Sequence, residues 1–215
     1  MSHVDEIIEY YDTLAPQYHR KSGYNDLSGT HSHADRFRKL FNGRDVLEIA
    51  CGTGYWTEIV AKTAKSILAT DVNRSMVKQA KKRLSEVYNV EFKVSNAYSL
   101  VEIPSGFSGA FSVLWWCFMP KSRIKEFLKT LHSKLKPDSR VSFMCQLADS
   151  DAGNHLPDSN GNMIARRMIN NRYYSIIKNI PSEEELRNTL APISTDLKYS
   201  KYPVDGLWSV SYSIL

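Results

Sequence analysis

The chain has no long apolar run. Nothing in its 215 residues approaches the roughly 20 consecutive apolar residues that a membrane-spanning helix needs. The opening MSHVDEIIEYYD is acidic and has no signal-peptide core, so the expected location is cytoplasmic, with no membrane partner. Cysteine is scarce. Cys51, Cys117 and Cys145 are odd in number, and no two form a C-x-x-C pair. They read as reduced core residues, and a metal site is not expected. Acidic residues are missing from one stretch. Between Ser159 and Ser182 there is no Asp or Glu, while Arg166, Arg167, Arg172 and Lys178 all occur. The net charge of +5 is mild and suits a small anion as well as nucleic acid. Two phosphate-binding signatures are also lacking. No Gly-Lys-Ser/Thr ending is present, and Thr57 stands where the dinucleotide fingerprint has its third glycine.

What is present centres on Asp45 to Asn73. Val46 to Ala50 reads as a buried strand that breaks into the turn Cys51-Gly52-Thr53-Gly54 and then a helix. A second apolar run ends at Asp71. Strand, glycine turn, helix, strand and acid in this order hold the adenosyl part of a cofactor. Glycine permits positive φ and close approach of a ligand to the backbone. An acid at the next strand tip can accept from both ribose hydroxyls.

Strand and helix patterns alternate along the chain. Helices are expected over about residues 4–14, 32–41, 55–63, 124–135 and 164–170, and from the capping box Ser182-x-x-Glu185 to Leu190. Strands are expected at about 90–94, 111–116, 141–145, 173–177, 197–202 and 208–214, besides the two flanking the glycine turn. This alternation implies an α/β chain with a doubly wound parallel sheet. One domain over 1–215 is expected, with N-terminal cap helices in 1–42 and a lid or insert at about 147–172.

The run Glu48-Ile49-Ala50-Cys51-Gly52-Thr53-Gly54 resembles the first motif of class I S-adenosylmethionine (SAM) methyltransferases, with alanine at a position that is usually glycine there. The resemblance implies a Rossmann-like seven-stranded, mostly parallel sheet with an antiparallel last strand. It also implies SAM as cofactor, S-adenosylhomocysteine (SAH) as product, and cofactor contacts from Glu48, Ala50, Gly52, Gly54, Trp56 and Asp71. Val72 and Met76 would sandwich the adenine. Asn96 and Ala97, after the third strand, would meet its amine, and Trp115, near the end of the fourth strand, would also bind the cofactor. Tyr10-Tyr11-Asp12-x-x-Ala15-x-x-Tyr18 is similar to a tyrosine-bearing stretch of small-molecule methyltransferases, so Tyr11 and Tyr18 would close the site.

The expected acceptor is a small molecule. After the fourth strand the chain has Trp115-Trp116-Cys117-Phe118-Met119-Pro120, not the Asp/Asn-Pro-Pro-aromatic motif of enzymes acting on base or glutamine nitrogens, which weighs against nucleic acid. Relatives that methylate alcohols or phenols often carry a His where Phe118 stands. No residue is assigned as a catalytic base, and an acceptor that is already an anion needs none. The expected function is transfer to an oxygen of a small anionic molecule such as a phosphonate or carboxylate. The alternatives are an RNA methyltransferase, a small-molecule N-methyltransferase, and a SAM-binding protein without transfer activity. ARRMINNRYYSIIKNIPSEEEL is similar to small microbial phosphonate O-methyltransferases, which implies acceptor-binding roles for Tyr24, Arg167 and Lys178. Arg172 joins that set from the same basic run. The assembly would be a monomer or homodimer.

Overall fold

The computed structural model describes residues 2–18, 32–148 and 155–215. Its chain order is α1 (His3–Leu14), α2 (Ser32–Leu40), β1 (Asp45–Ile49), α3 (Tyr55–Ala61), β2 (Ser66–Asp71), α4 (Arg74–Arg83) and β3 (Val90–Val94). Then come β4 (Phe107–Val113), α5 (Ile124–His132), β5 (Leu135–Gln146), β6 (His155–Pro157), β7 (Met163–Ile169) and β8 (Arg172–Ile177). The chain closes with α6 (Glu183–Leu190), β9 (Ser194–Tyr202) and β10 (Leu207–Ile214).

Seven strands form one sheet in the order β3-β2-β1-β4-β5-β10-β9. β1 to β5 are mutually parallel, whereas β10 runs antiparallel to both β5 and β9. The order reverses beside β1, and in such sheets ligands bind at the carboxyl ends of strands near that point. The sheet is covered on both faces, as alternation requires. Leu47, Ile49 and Leu68 point to one side, where Phe127, Leu128 and Leu131 of α5 and Leu186 and Leu190 of α6 pack. Val46, Ile67 and Ala69 point to the other, against Phe37 and Phe41 at α2 and Ile59 and Val60 of α3. Phe127 is fully buried, and truncating such a ring costs about 3–5 kcal/mol.

Two helices start on reciprocal caps. The Ser182 hydroxyl accepts from the Glu185 N–H at 3.1 Å, and the Glu185 carboxylate accepts from the Ser182 N–H at 2.8 Å, as the sequence pattern predicts. Ser2 and Asp5 make the same box at the start of α1.

Two expectations need correction. Residues 163–169 form β7, not a helix, and pair antiparallel with both β6 and β8. Strand four ends at Val113, earlier than the pattern suggests, because Leu114 takes φ 58° and turns the chain. Trp115 is thereby aimed into a cavity and Trp116 into the core. The small β6-β7-β8 sheet packs on α1 through Ile7, Leu14, Ala165, Ile169, Tyr174 and Ile176. Polar ties reinforce the contact. Glu6 accepts from the Ser175 N–H at 2.6 Å, and Glu9 pairs with Arg172. α1 and the inserted sheet therefore form a single cover.

Candidate functional site

The site begins where β1 meets α3. Ala50, Gly52 and Gly54 all have positive φ, at 56°, 54° and 82°. Alternate left-handed residues fold the turn so that the Gly52 N–H donates to the Asp71 Oδ2 at 2.8 Å. A Cβ on Gly52 would meet nothing within 4 Å, and Gly52 lines the cavity. The backbone there is open to a ligand. Gly54 answers a different need. A Cβ there would lie 2.9 Å from Leu84 Cδ1 and 3.2 Å from Ala80 Cβ, so its smallness lets α4 pack close. Thr57, in place of a third glycine, donates its hydroxyl to the buried Glu48 at 2.6 Å.

Asp71 ends β2 with both carboxylate oxygens engaged. Oδ2 takes the Gly52 N–H and Oδ1 takes the Asn73 N–H, each at 2.8 Å. A carboxylate has about four lone-pair sites, so each oxygen keeps one acceptor position for a hydroxyl. Burial raises the Asp71 carboxyl to about 6 against the pull of these amides. Burial also raises Glu48 to about 8; the Thr57 hydroxyl opposes this and the Asp71 charge adds to it. Tyr18 sits near enough to Asp71 to feel its charge, and burial first, then that charge, push its phenol up to about 12.

A cavity of about 150 Å³ lies at the carboxyl ends of these strands beneath α1. Ten residues singled out in the sequence line it: Tyr11, Tyr18, Ala50, Gly52, Asp71, Val72, Met76, Asn96, Ala97 and Trp115. Three others do not. Glu48 is buried behind the turn, Gly54 is spent on α4, and Trp56 packs in the core beside Phe37 and His33. Trp56 follows the apolar face of α3, which is the signal that outweighs its closeness to the glycines. The Asn96 Oδ1 accepts from the Tyr98 N–H at 2.9 Å in an Asx turn, which leaves its second lone pair for a ligand.

The cavity also takes residues that the sequence does not single out: Ile7, Ile8, Asn73, Tyr98, Phe118 and Arg123. Arg123 lies over the Tyr98 ring at 3.6 Å and bonds Glu126 through two nitrogens at 2.8 Å. No spacing rule joins Tyr98 to Arg123. Only the fold brings them together.

The basic run divides. Tyr24 lies outside the described residues. Arg172 is about half exposed, pairs with Glu9 and covers Tyr174, so it serves the cover and lines no part of the cavity. Arg167 donates to the Arg166 carbonyl at 3.2 Å and acts electrostatically on Tyr10, also outside the lining. Lys178 differs. It is 5% exposed. Its Nζ bonds Gln146 Oε1, reaches Cys117 Sγ at 3.5 Å and lies 4.7 Å from the Phe118 ring centre. Phe118 and its ring neighbour Tyr11 are cavity walls. A cation therefore stands one ring behind the lining, at the carboxyl end of β5. His132 is drawn into packing, with Nε2 2.9 Å from the Tyr212 hydroxyl. Among the described residues no cluster of three metal-ligating side chains occurs, and no helix is long and apolar enough to cross a membrane.

Residues 46–138 match the family model of the methyltransferase domain. This region, a little under half of the chain, is similar to that domain. The fold around it is the α/β Rossmann-like fold of solved methyltransferase structures. The DhpI–SAH complex superposes with a TM-score of 0.75 at 22% identity, covering 100% of this chain and 98% of that one. The DhpI–SAM–HEP complex gives 0.74 at 22%, covering 99% of each. Two curated relatives match over shorter stretches. Phosphoethanolamine N-methyltransferase 1 of Caenorhabditis elegans is 33% identical over 61 residues, 28% of this chain and 13% of that protein. Demethylmenaquinone methyltransferase of Lactiplantibacillus plantarum is 33% identical over 86 residues, 35% of each. The chain thus spans about a third or less of these two relatives.

The cavity fits SAM on its own features. Gly52 leaves room against the backbone, Asp71 keeps two acceptor positions for a diol, and Val72 and Met76 offer apolar surface to a flat ring.

Proposed function

We propose that the chain transfers the methyl group of SAM to an oxygen of a small anionic molecule, a phosphonate or a carboxylate. SAM supplies an electrophilic methyl carbon on a sulfonium, and the chain's residues arrange everything around it. Asp71 would take the ribose hydroxyls on its two remaining acceptor positions. Ala50 and Gly52 would lie along the ribose and methionyl portions. Val72 and Met76 would flank the adenine, with Asn96 and Ala97 at its amine. Tyr11, Tyr18 and Trp115 would exclude water from the reacting end.

The observation that carries the acceptor reading is Lys178. A buried ammonium behind Phe118 and Tyr11 sets a positive potential at the aromatic wall that those two rings form. In a site that excludes water, such a charge favours an anion far more than it would in bulk solvent. An oxyanion acceptor needs no proton removed, so alignment and desolvation can supply the acceleration. The phosphate-bearing acceptor in the name of the Caenorhabditis elegans relative supports an anionic group on the acceptor.

The test is transfer of labelled methyl from SAM to a panel of phosphonates, carboxylates, phosphoethanolamine, phenols, amines and RNA. Label in a phosphonate or carboxylate ester is expected. Label confined to amine nitrogen or to RNA would replace this reading with one of those classes.

A further inference from the structure

We propose that Cys117 and Cys145 are a redox-active dithiol that closes to an intramolecular disulfide on exposure to a peroxide. The two Sγ atoms are 3.0 Å apart and both residues are buried. The sheet fixes this approach. Cys145 lies on β5, Cys117 lies in the turn just after β4, and those strands pair in register through Val113 and Met144. A disulfide has an S–S length of about 2.05 Å, so closure asks for a movement of about 1 Å.

The surroundings favour one thiolate beside one thiol. Burial by itself would raise both. The Lys178 ammonium, 3.5 Å from Cys117 Sγ, and the hydrogen bond between the two sulfurs oppose burial and favour ionisation of one thiol of the pair. A thiolate next to a resolving thiol is the arrangement of oxidisable cysteines. Tyr11, a cavity wall, lies close enough to both thiols to feel their charge, and Phe118 follows Cys117 in the same wall. Cys51, in the glycine turn, is the third thiol and is raised by burial.

The chemistry balances in two steps. The thiolate of the pair attacks one peroxide oxygen, the O–O bond breaks, and a sulfenic acid and hydroxide result; the hydroxide becomes water with the proton that this thiol released on ionising. The other sulfur then attacks the sulfenic sulfur, the S–O bond breaks, and the departing hydroxide leaves as water with the second thiol's proton. Two thiols are oxidised to one disulfide, and one peroxide is reduced to two waters. Any effect on transfer rests on the acceptor reading above, whereas the cross-link does not.

The full chain is treated with hydrogen peroxide, denatured, alkylated with N-ethylmaleimide and weighed. The reduced chain should take three adducts, one per cysteine. The oxidised chain should take a single adduct and be two hydrogens lighter before alkylation. Peptide mapping should join Cys117 to Cys145, and dithiothreitol should restore all three thiols. Three adducts after oxidation, a cross-link through Cys51, or a mass gain that dithiothreitol does not reverse would overturn the proposal. The wild-type chain suffices, so no variant needs to fold.

Discussion

The Asp71 carboxylate accepts the Gly52 N–H at 2.8 Å, so the acid at the tip of β2 and the turn after β1 are one hydrogen-bonded unit. The proposed ribose acceptor is thereby held by the same backbone that leaves the turn open to the cavity. The unit has a pH signature. Burial raises Asp71 to about 6, and only the carboxylate accepts strongly from two hydroxyls. SAM binding therefore favours the deprotonated form, and affinity should fall as pH drops through about 6. Between pH 7 and pH 5 the loss should be up to about ten-fold. Calorimetric titrations at the two pH values would check this, and equal affinity at both would contradict it.

Glu48 gives a stability prediction. Its folded value, about 8, lies above that of a free carboxyl, with burial as the main cause. Between the unfolded and folded values the native state holds a proton that the unfolded chain has lost. Stability from this group is thus fully present at low pH and declines as pH rises toward 8. Glu48→Gln cannot ionise and keeps a polar partner for Thr57. It should flatten the decline and gain on the order of 2 kcal/mol over wild type at pH 9. Urea melts at pH 6 and pH 9 on both proteins would read the difference.

Ala50 stands at φ 56° with a Cβ. The left-handed region costs a non-glycine residue about 1–2 kcal/mol, part of which glycine returns through its freer unfolded chain. Ala50→Gly should therefore be stabilising by up to about 1 kcal/mol, with a Tm increase of a few degrees. A lower Tm would mean that the alanine methyl makes a packing contribution larger than the strain.

Much of this was legible in the sequence, and the misses have physical causes. The glycine turn and the acid are local chemistry, and ten of the residues singled out from them and from the family resemblance line the cavity. Residues 163–169 were misread because Ala165 and Ile169, four apart, share a face in both a helix and a strand. Pairing with β8 decides between them, and that is a long-range fact. Arg172 and Lys178 look alike in an acid-free run. Only the fold brings Glu9 of α1 to Arg172 and shuts Lys178 behind Phe118.

That division between the two cations is itself testable. Lys178→Met should lower kcat/KM for the anionic acceptor about ten-fold, the scale of a unit charge acting through space in a site that excludes water, and leave SAM affinity nearly unchanged. Arg172→Ala should leave both near wild type and change stability by no more than about 1 kcal/mol, as exposed ion pairs do. If Arg172→Ala impairs the acceptor and Lys178→Met does not, the acceptor lies on the outer face of the cover and not in the chamber.

The most direct test of the whole account is a titration of the protein with SAM, SAH and NAD, repeated on Asp71→Ala. Micromolar binding of SAM and SAH, roughly −8 kcal/mol, is predicted, with no binding of NAD. Asp71→Ala should lose about 1.5–3 kcal/mol for each charged hydrogen bond removed. SAM binding that is absent in the wild type, or equally tight in Asp71→Ala, would contradict the assignment of this cavity.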